Sequence, residues 1–308
     1  MANQSDVSEF ILIGFPGLPQ TFYPLVSVTM FLVYTIALMA NGTVILLISL
    51  RERLHHPMYL IISNLAFSDL TFDTITLPKI IARYWFKDES ISFSTCMFQL
   101  FFVHYLGVLD SFIIMLMSAD RYIAICKPLR YSAIMTNKLA ASLCCLLSII
   151  AAAFGLAVSI LTGRQFYCRS NKINGCFCSN SALLALACGD VFYTKRVNFS
   201  LAMIVLCVPL VLIILSYIVI LRTISSLRRP ENWQKAFYTC TTHLFIISLY
   251  YIPRIFVYTS NQINLIANAD FNILLLCLYT FVPHLANPII YCLRTKEIKK
   301  MLINIYKR

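Results

Sequence analysis

Charge is scarce in this sequence. Only 12% of its 308 residues are charged, against 59% that are hydrophobic. A soluble domain carries about 25% charged residues, so the shortage excludes a solvated globular fold for most of the chain. Internal repeats are also missing, which disfavours an inverted-repeat transporter, and no low-complexity segment breaks the pattern. Residues 1–9 lack the basic start of a cleavable signal sequence and carry Asp6 and Glu9 instead. The first apolar run is therefore expected to serve as the targeting signal. No nucleophile–base constellation, phosphate-cradling loop or metal-ligand cluster is evident. The expectation is a protein that is not an enzyme and needs no cofactor.

What is there in abundance is long apolar runs. Seven are of membrane-crossing length, about 20 residues each: Pro24–Leu50, Met58–Tyr84, Cys96–Ile125, Asn137–Leu161, Arg196–Ser225, Trp233–Thr259 and Asn272–Leu293. The fold class read from this is an all-α membrane protein, a seven-helix bundle over residues 24–293. Residues 1–23 are then an outer N-terminus and 294–308 an inner tail. In that tail Ile298, Met301, Leu302 and Ile305 recur at helical spacing opposite Lys299, Lys300, Lys307 and Arg308. That pattern fits an amphipathic helix lying on the inner leaflet.

The net charge of +12 invites a nucleic-acid reading, but its distribution argues against one. With the N-terminus outside, the inner segments hold Arg51, Arg53, Lys127, Arg130, Lys138, Arg222, Arg228, Arg229, Lys235 and the basic tail. The outer loops hold fewer basic residues. This is the positive-inside asymmetry, and it sets the orientation. The inner charges face anionic lipid and a cytoplasmic protein partner. An outer N-terminus makes Asn3-Gln-Ser5 a candidate glycosylation acceptor, whereas Asn41-Gly-Thr43 and Asn198-Phe-Ser200 lie in or at a span.

Of the twelve cysteines, seven sit in or near spans and read as packing residues. Cys96 opens the third span on the outer side. Cys168, Cys176, Cys178 and Cys188 crowd the loop Thr162–Lys195. Disulfides are the default in an oxidising exterior, although spacing leaves their connectivity open. Metal binding by Cys176-Phe-Cys178 is disfavoured because the loop contains no histidine.

A few ionic groups interrupt the apolar runs, where they are costly and mark function. Asp69 and Asp110 lie mid-span on the second and third runs. Together they offer oxygen ligands for a sodium ion; the alternative is that one or both are neutral and hydrogen-bonded. Arg121 follows Asp110 by eleven positions, about three helical turns, so both face the bundle. His243 is expected to be buried on the sixth span, more as a satisfied core residue than as a titrating group. Pro209, Pro253 and Pro288 fall within spans and bend them.

The string Met117-Ser-Ala-Asp120-Arg121-Tyr122-Ile-Ala-Ile-Cys126-Lys-Pro-Leu-Arg-Tyr131 resembles olfactory receptors, a branch of the rhodopsin-like G-protein-coupled receptors. So do Pro57-Met-Tyr59, Ser216-Tyr217, Lys235-Ala-Phe-Tyr-Thr-Cys240-Thr-Thr-His243 and Asn287-Pro288-Ile-Ile-Tyr291. Departures are Tyr238 and Thr242 where the family has serine, Ala286 where it has leucine, and the extra Cys176. The resemblance runs over residues 10–300. It implies disulfides Cys96–Cys178 and Cys168–Cys188, with Cys176 left over as a competitor for Cys96. It implies an inner switch of Asp120, Arg121, Tyr122, Tyr217, Lys235, His243, Asn287, Pro288 and Tyr291. In that switch Tyr217 and Tyr291 swing toward Arg121 when the sixth helix moves. It further implies a small-molecule odorant, a stimulatory olfactory-type G protein, cyclic AMP as output, and the plasma membrane of olfactory cilia.

The outer half of the third span offers Val103, His104 and Tyr105 and no acid, which disfavours an amine ligand. Arg254, beside Pro253 and eleven positions beyond His243, is expected to face inward, where an arginine demands an anion. The candidate pocket is His104, Arg254, Tyr251 and Tyr258, with Lys79 and Gln262 nearby, for a small acidic or polar odorant. The competing reading pairs Arg254 with Asp270 or Asp190. Phe10-Ile-Leu-Ile-Gly-Phe-Pro16-Gly-Leu18 resembles the fish-like class of the family, whose ligands tend to be water-soluble. The rivals are a rhodopsin-like receptor for a lipid, nucleotide or peptide, and a channel or transporter. The oligomeric state is left open.

Overall fold

The structure is a computed structural model that describes residues 7–168, 170–226, 230–263, 265–266 and 268–294. The side chains of Arg53, 230–239 and 292–294 lie outside that set. Asn3 and the tail from 295 onward lie outside the described residues as well, as does the Lys235 side chain.

Among the described residues seven helices are long and apolar enough to cross a membrane. They are α1 (Tyr23–Leu50), α2 (Pro57–Phe86), α3 (Phe93–Cys126), α4 (Asn137–Gly163), α5 (Phe192–Ser225), α6 (Pro230–Gln262) and α7 (Ala269–Arg294). Each reaches to or slightly past the end of its apolar run, and two of them start at a polar cap. The Ser92 hydroxyl accepts from the Thr95 N–H ahead of α3, and Thr136 does the same for Leu139 ahead of α4. Pro57 opens α2, where its missing N–H costs nothing. Lys87, at φ 57°, closes α2 in the left-handed conformation. Prolines 78, 209, 253, 283 and 288 all sit inside helices.

Burial separates the helices. In the most apolar eighteen-residue stretch of α2, 56% is buried, against 22% in α4. Thus α2, α3 and α7 are the most buried helices of the bundle, while α1, α4 and α5 turn most of their apolar surface outward. In lipid the apolar effect gives little drive for helices to associate, so close packing and polar contacts do that work. Gly155 shows the packing. A Cβ there would lie 3.0 Å from the Tyr105 backbone nitrogen, so α3 and α4 touch backbone to backbone.

A lid covers the outer mouth. Strand β1 (Glu9–Leu12) pairs antiparallel with β2 (Ser90–Ser92) and parallel with β4 (Lys172–Ile173). A second small ladder joins β3 (Phe166–Tyr167) to β5 (Ala187–Cys188). Disulfides join Cys96 to Cys178 and Cys168 to Cys188, with Cα–Cα distances of 5.6 and 5.7 Å. The first pins the loop onto α3. Gly14, at φ 74°, lets the N-terminal segment turn against Tyr84: a Cβ there would lie 2.2 Å from the phenol oxygen. That phenol accepts from the Phe15 N–H. In the loop, burial pushes the Tyr167 phenol up to about 12.

Candidate functional site

Three polar layers stack down the bundle axis. The outermost is a cavity of about 500 Å³ between α3, α5, α6, α7 and the lid. His104, Arg254, Tyr258 and Gln262 line it, as do Tyr250, Tyr279 and Asn198. Lys172 and Lys195 stand exposed at its mouth. No Asp or Glu is among the lining residues. Arg254 is only 7% exposed. Its Nη1 donates to the Tyr250 carbonyl at 3.2 Å, and its guanidinium lies 3.8 Å from the Tyr250 ring centroid and 5.2 Å from that of Tyr279. Among the described residues no ion pair joins it to a carboxylate. Asp270 instead accepts from the Gly17 N–H, and Asp190 from the Phe192 N–H. The structural pairings of Arg254 considered from sequence are therefore absent.

Two expected pocket residues stand elsewhere. Lys79 forms an ion pair with Asp88 at 2.8 Å, because α2 continues past the predicted end of its span and the turn after it returns a carboxylate. Tyr251 is 1% exposed and faces α3 and α5, where its hydroxyl bonds Ser111 Oγ at 2.9 Å. Its neighbour Tyr250 takes the cavity wall and donates to the Gly107 carbonyl.

One turn below, α1, α2, α3 and α7 enclose a buried cluster of three carboxylates. His284 Nδ1 lies 2.7 Å from Asp73 Oδ1, and its Nε2 lies 3.5 Å from Asp69 Oδ1. Asn287 Nδ2 donates to Asp69 Oδ2 at 3.0 Å, and the Ser68 hydroxyl to Asp110 Oδ1 at 2.6 Å. Asn41 Nδ2 reaches across from α1 to the His284 carbonyl at 3.1 Å. Potential ligand atoms of Asp69, Asp110 and His284 all lie within 4.8 Å of one another. Asp69 Oδ1, Asp73 Oδ2, Asn41 Oδ1 and Asn287 Oδ1 have no hydrogen-bond partner among the described residues. Buried oxygens without partners are costly, and carboxylate oxygens are the ligand type a hard cation takes.

Asp69 and Asp110 were expected together here, Asn287 was expected in the inner switch, and Asp73 and His284 were not anticipated. Both could have been found by spacing. Asp73 is four residues after Asp69, and His284 is three before Asn287, so each shares a helix face with its partner.

The inner layer holds the switch residues. Asp120, 1% exposed, accepts from the Tyr131 hydroxyl at 2.8 Å. Burial first, and then that bond, raise the pKa of the Tyr131 phenol. Arg121 packs its Nη2 against Met58 Sδ at 2.6 Å. The Tyr217 hydroxyl and His243 Nδ1 share a 2.6 Å hydrogen bond across α5 and α6. The Tyr291 hydroxyl lies 3.6 Å from Met117 Sδ on α3. Ser118 and Ser216 meet at 2.5 Å. Tyr122 is half-buried at the same level, and Asn287 and Pro288 are buried on α7. At this inner level the Tyr217–His243 bond joins α5 to α6, and the Ser118–Ser216 contact joins α3 to α5.

The glycosylation patterns at Asn41 and Asn198 are buried. Asn198 donates to Asn180 Oδ1 at 2.8 Å.

A family model described as olfactory receptor matches residues 30–308. The human olfactory receptor 52K1 is 35% identical over 97% of this chain and 95% of its own length. The human olfactory receptor 1J2 is 36% identical over 99% and 97%, and the rat olfactory receptor 1500 is 35% identical over 98% and 96%. The crystal structure of squid rhodopsin superposes with a TM-score of 0.75 at 20% identity, covering 92% of this chain and 80% of that one; this likeness concerns the fold. With seven apolar helices among the described residues and a cavity under a disulfide-pinned lid, the chain belongs to the olfactory receptor family: it is an odorant-sensing, multi-pass membrane receptor on the rhodopsin fold, and its family is one of signalling receptors rather than enzymes.

Proposed function

We propose that this receptor recognises small, water-soluble carboxylic acids in the cavity beneath the lid and signals through a stimulatory olfactory-type G protein, raising cyclic AMP at the ciliary plasma membrane. One observation carries the ligand class: the buried Arg254 faces a cavity that holds no carboxylate among its lining residues. A guanidinium in a dry site gains most from an anion with two oxygens, which it binds through parallel hydrogen bonds. Tyr250 and Tyr279 hold its plane by cation–π contact. Lys172 and Lys195 add a positive field at the mouth that attracts anions. The aliphatic part of the ligand would lie against Val257, Leu206 and Ile273.

Bound acid favours one arrangement of α6 through its grip on Arg254, and that difference in affinity shifts the equilibrium. The Tyr217–His243 bond then opens, and the inner ends of α5 and α6 part for the G protein. In the resting arrangement Asp69 and Asp110, with the free oxygens of Asn41 and Asn287, would hold a sodium ion, which supplies the missing positive charge. Cells expressing the chain, tested with straight-chain acids from butanoate to decanoate and with the matching alcohols and amines, should raise cyclic AMP for the acids. A response confined to amines would sink this reading.

A further inference from the structure

The loop cysteine left over from the two disulfides is not idle. Cys176 is fully buried, and the thiol of Cys277 on α7 donates toward its sulfur at 3.2 Å. These two residues are 101 positions apart in sequence. The distance also explains why Cys176 does not compete for Cys96: its side chain points toward α7, while Cys178, two residues on, points to α3. A disulfide needs about 2.05 Å between sulfurs, so roughly 1 Å of closure separates this pair from a bond.

We propose that Cys176 and Cys277 form a third disulfide, which staples the lid to the outer end of α7. Its neighbours give it a role. Phe177 and Leu276, each adjacent in sequence to one of the two cysteines, both line the ligand cavity. The staple would therefore hold two walls of the cavity in register. Chemically, oxidised glutathione or another disulfide oxidant of the secretory lumen takes one thiol as a mixed disulfide. The second sulfur then displaces the glutathione. The oxidant's S–S bond breaks, the Cys176–Cys277 bond forms, and both protons leave on two glutathione thiols. The hydrogen bond from Cys277, and then burial, raise the Cys176 thiol well above its usual pKa. Little thiolate forms in the closed lid, so bond formation belongs to the stage when the lid is open.

Receptor denatured in N-ethylmaleimide without reductant, then digested, should yield Cys176 and Cys277 uncapped in one linked species. Recovery of both in capped form overturns the proposal. In cells, C176S, C277S and the double variant should each raise the half-maximal octanoate concentration by the same factor, roughly fivefold, the ordering cost of one side chain. Either loss breaks the same bond, so a double variant whose shift is the product of the two singles also overturns it. The response measurement rests on the proposed acid cavity, whereas the capping measurement does not, so the two readings fail separately.

Discussion

The cavity and the cluster beneath it are opposites in charge. Gly107 lines the first and Asp110, one turn on, belongs to the second. Above, one buried arginine and two lysines at the rim face no carboxylate among the lining residues. Below, three carboxylates share one histidine. The charged groups of both regions are buried, and an unbalanced buried charge recruits its opposite or neutralises itself. The difference teaches what each region lacks. The cavity opens to the outside and can take its counter-ion as a ligand. The cluster is enclosed by four helices, and His284 is the basic group that touches it among the described residues.

The largest effect should come from removing the only basic group among the described residues that touches the cluster. His284→Ala leaves Asp69 and Asp73 without it, and breaking a buried pair costs about 3–5 kcal/mol. Thermal unfolding of purified receptor should show a clear fall in Tm, and an unchanged Tm would erase the contrast between the two regions. Asp110→Asn should behave in the opposite sense. It keeps the Ser68 hydroxyl as a partner while removing one of three crowded carboxylates, so stability measured without sodium should hold or rise. Basal cyclic AMP should also stop responding when sodium is replaced by choline; continued response would place any sodium elsewhere. Smallest is Lys195→Ala. An exposed charge is worth about 0.2–1 kcal/mol, so the half-maximal acid concentration should rise less than about fivefold, and the rise should vanish in high salt. A salt-independent shift would place Lys195 in the buried site instead.

Much of this contrast was legible in the chain. A charge inside an apolar run stands out, so Asp69, Asp110 and Arg254 were visible, and eleven-residue spacing correctly turned Arg254 inward. Direction around a helix was harder. Tyr250 and Tyr251 are adjacent, and only the packing of α6 against α3 decides which of them faces the cavity. Lys79 was misplaced because its partner Asp88 comes from a turn beyond the apolar run. The lid strand Glu9–Leu12 was not legible at all. It is four residues long and pairs with segments about 80 and 160 residues away, a contact that no local pattern encodes. His284 went unnoticed because a lone histidine is ordinary until Asp73 is seen beside it.

The most direct test of the charge contrast is a ratio. Half-maximal concentrations for octanoate and for octan-1-ol should be measured in the native receptor and in Arg254→Met, which keeps a flexible unbranched stem and loses the guanidinium. The native receptor should prefer the acid. The variant should lose that preference by about 10- to 100-fold, the worth of a hydrogen bond to a charged group, with its response to the alcohol unchanged. An acid preference that survives the substitution would contradict the account.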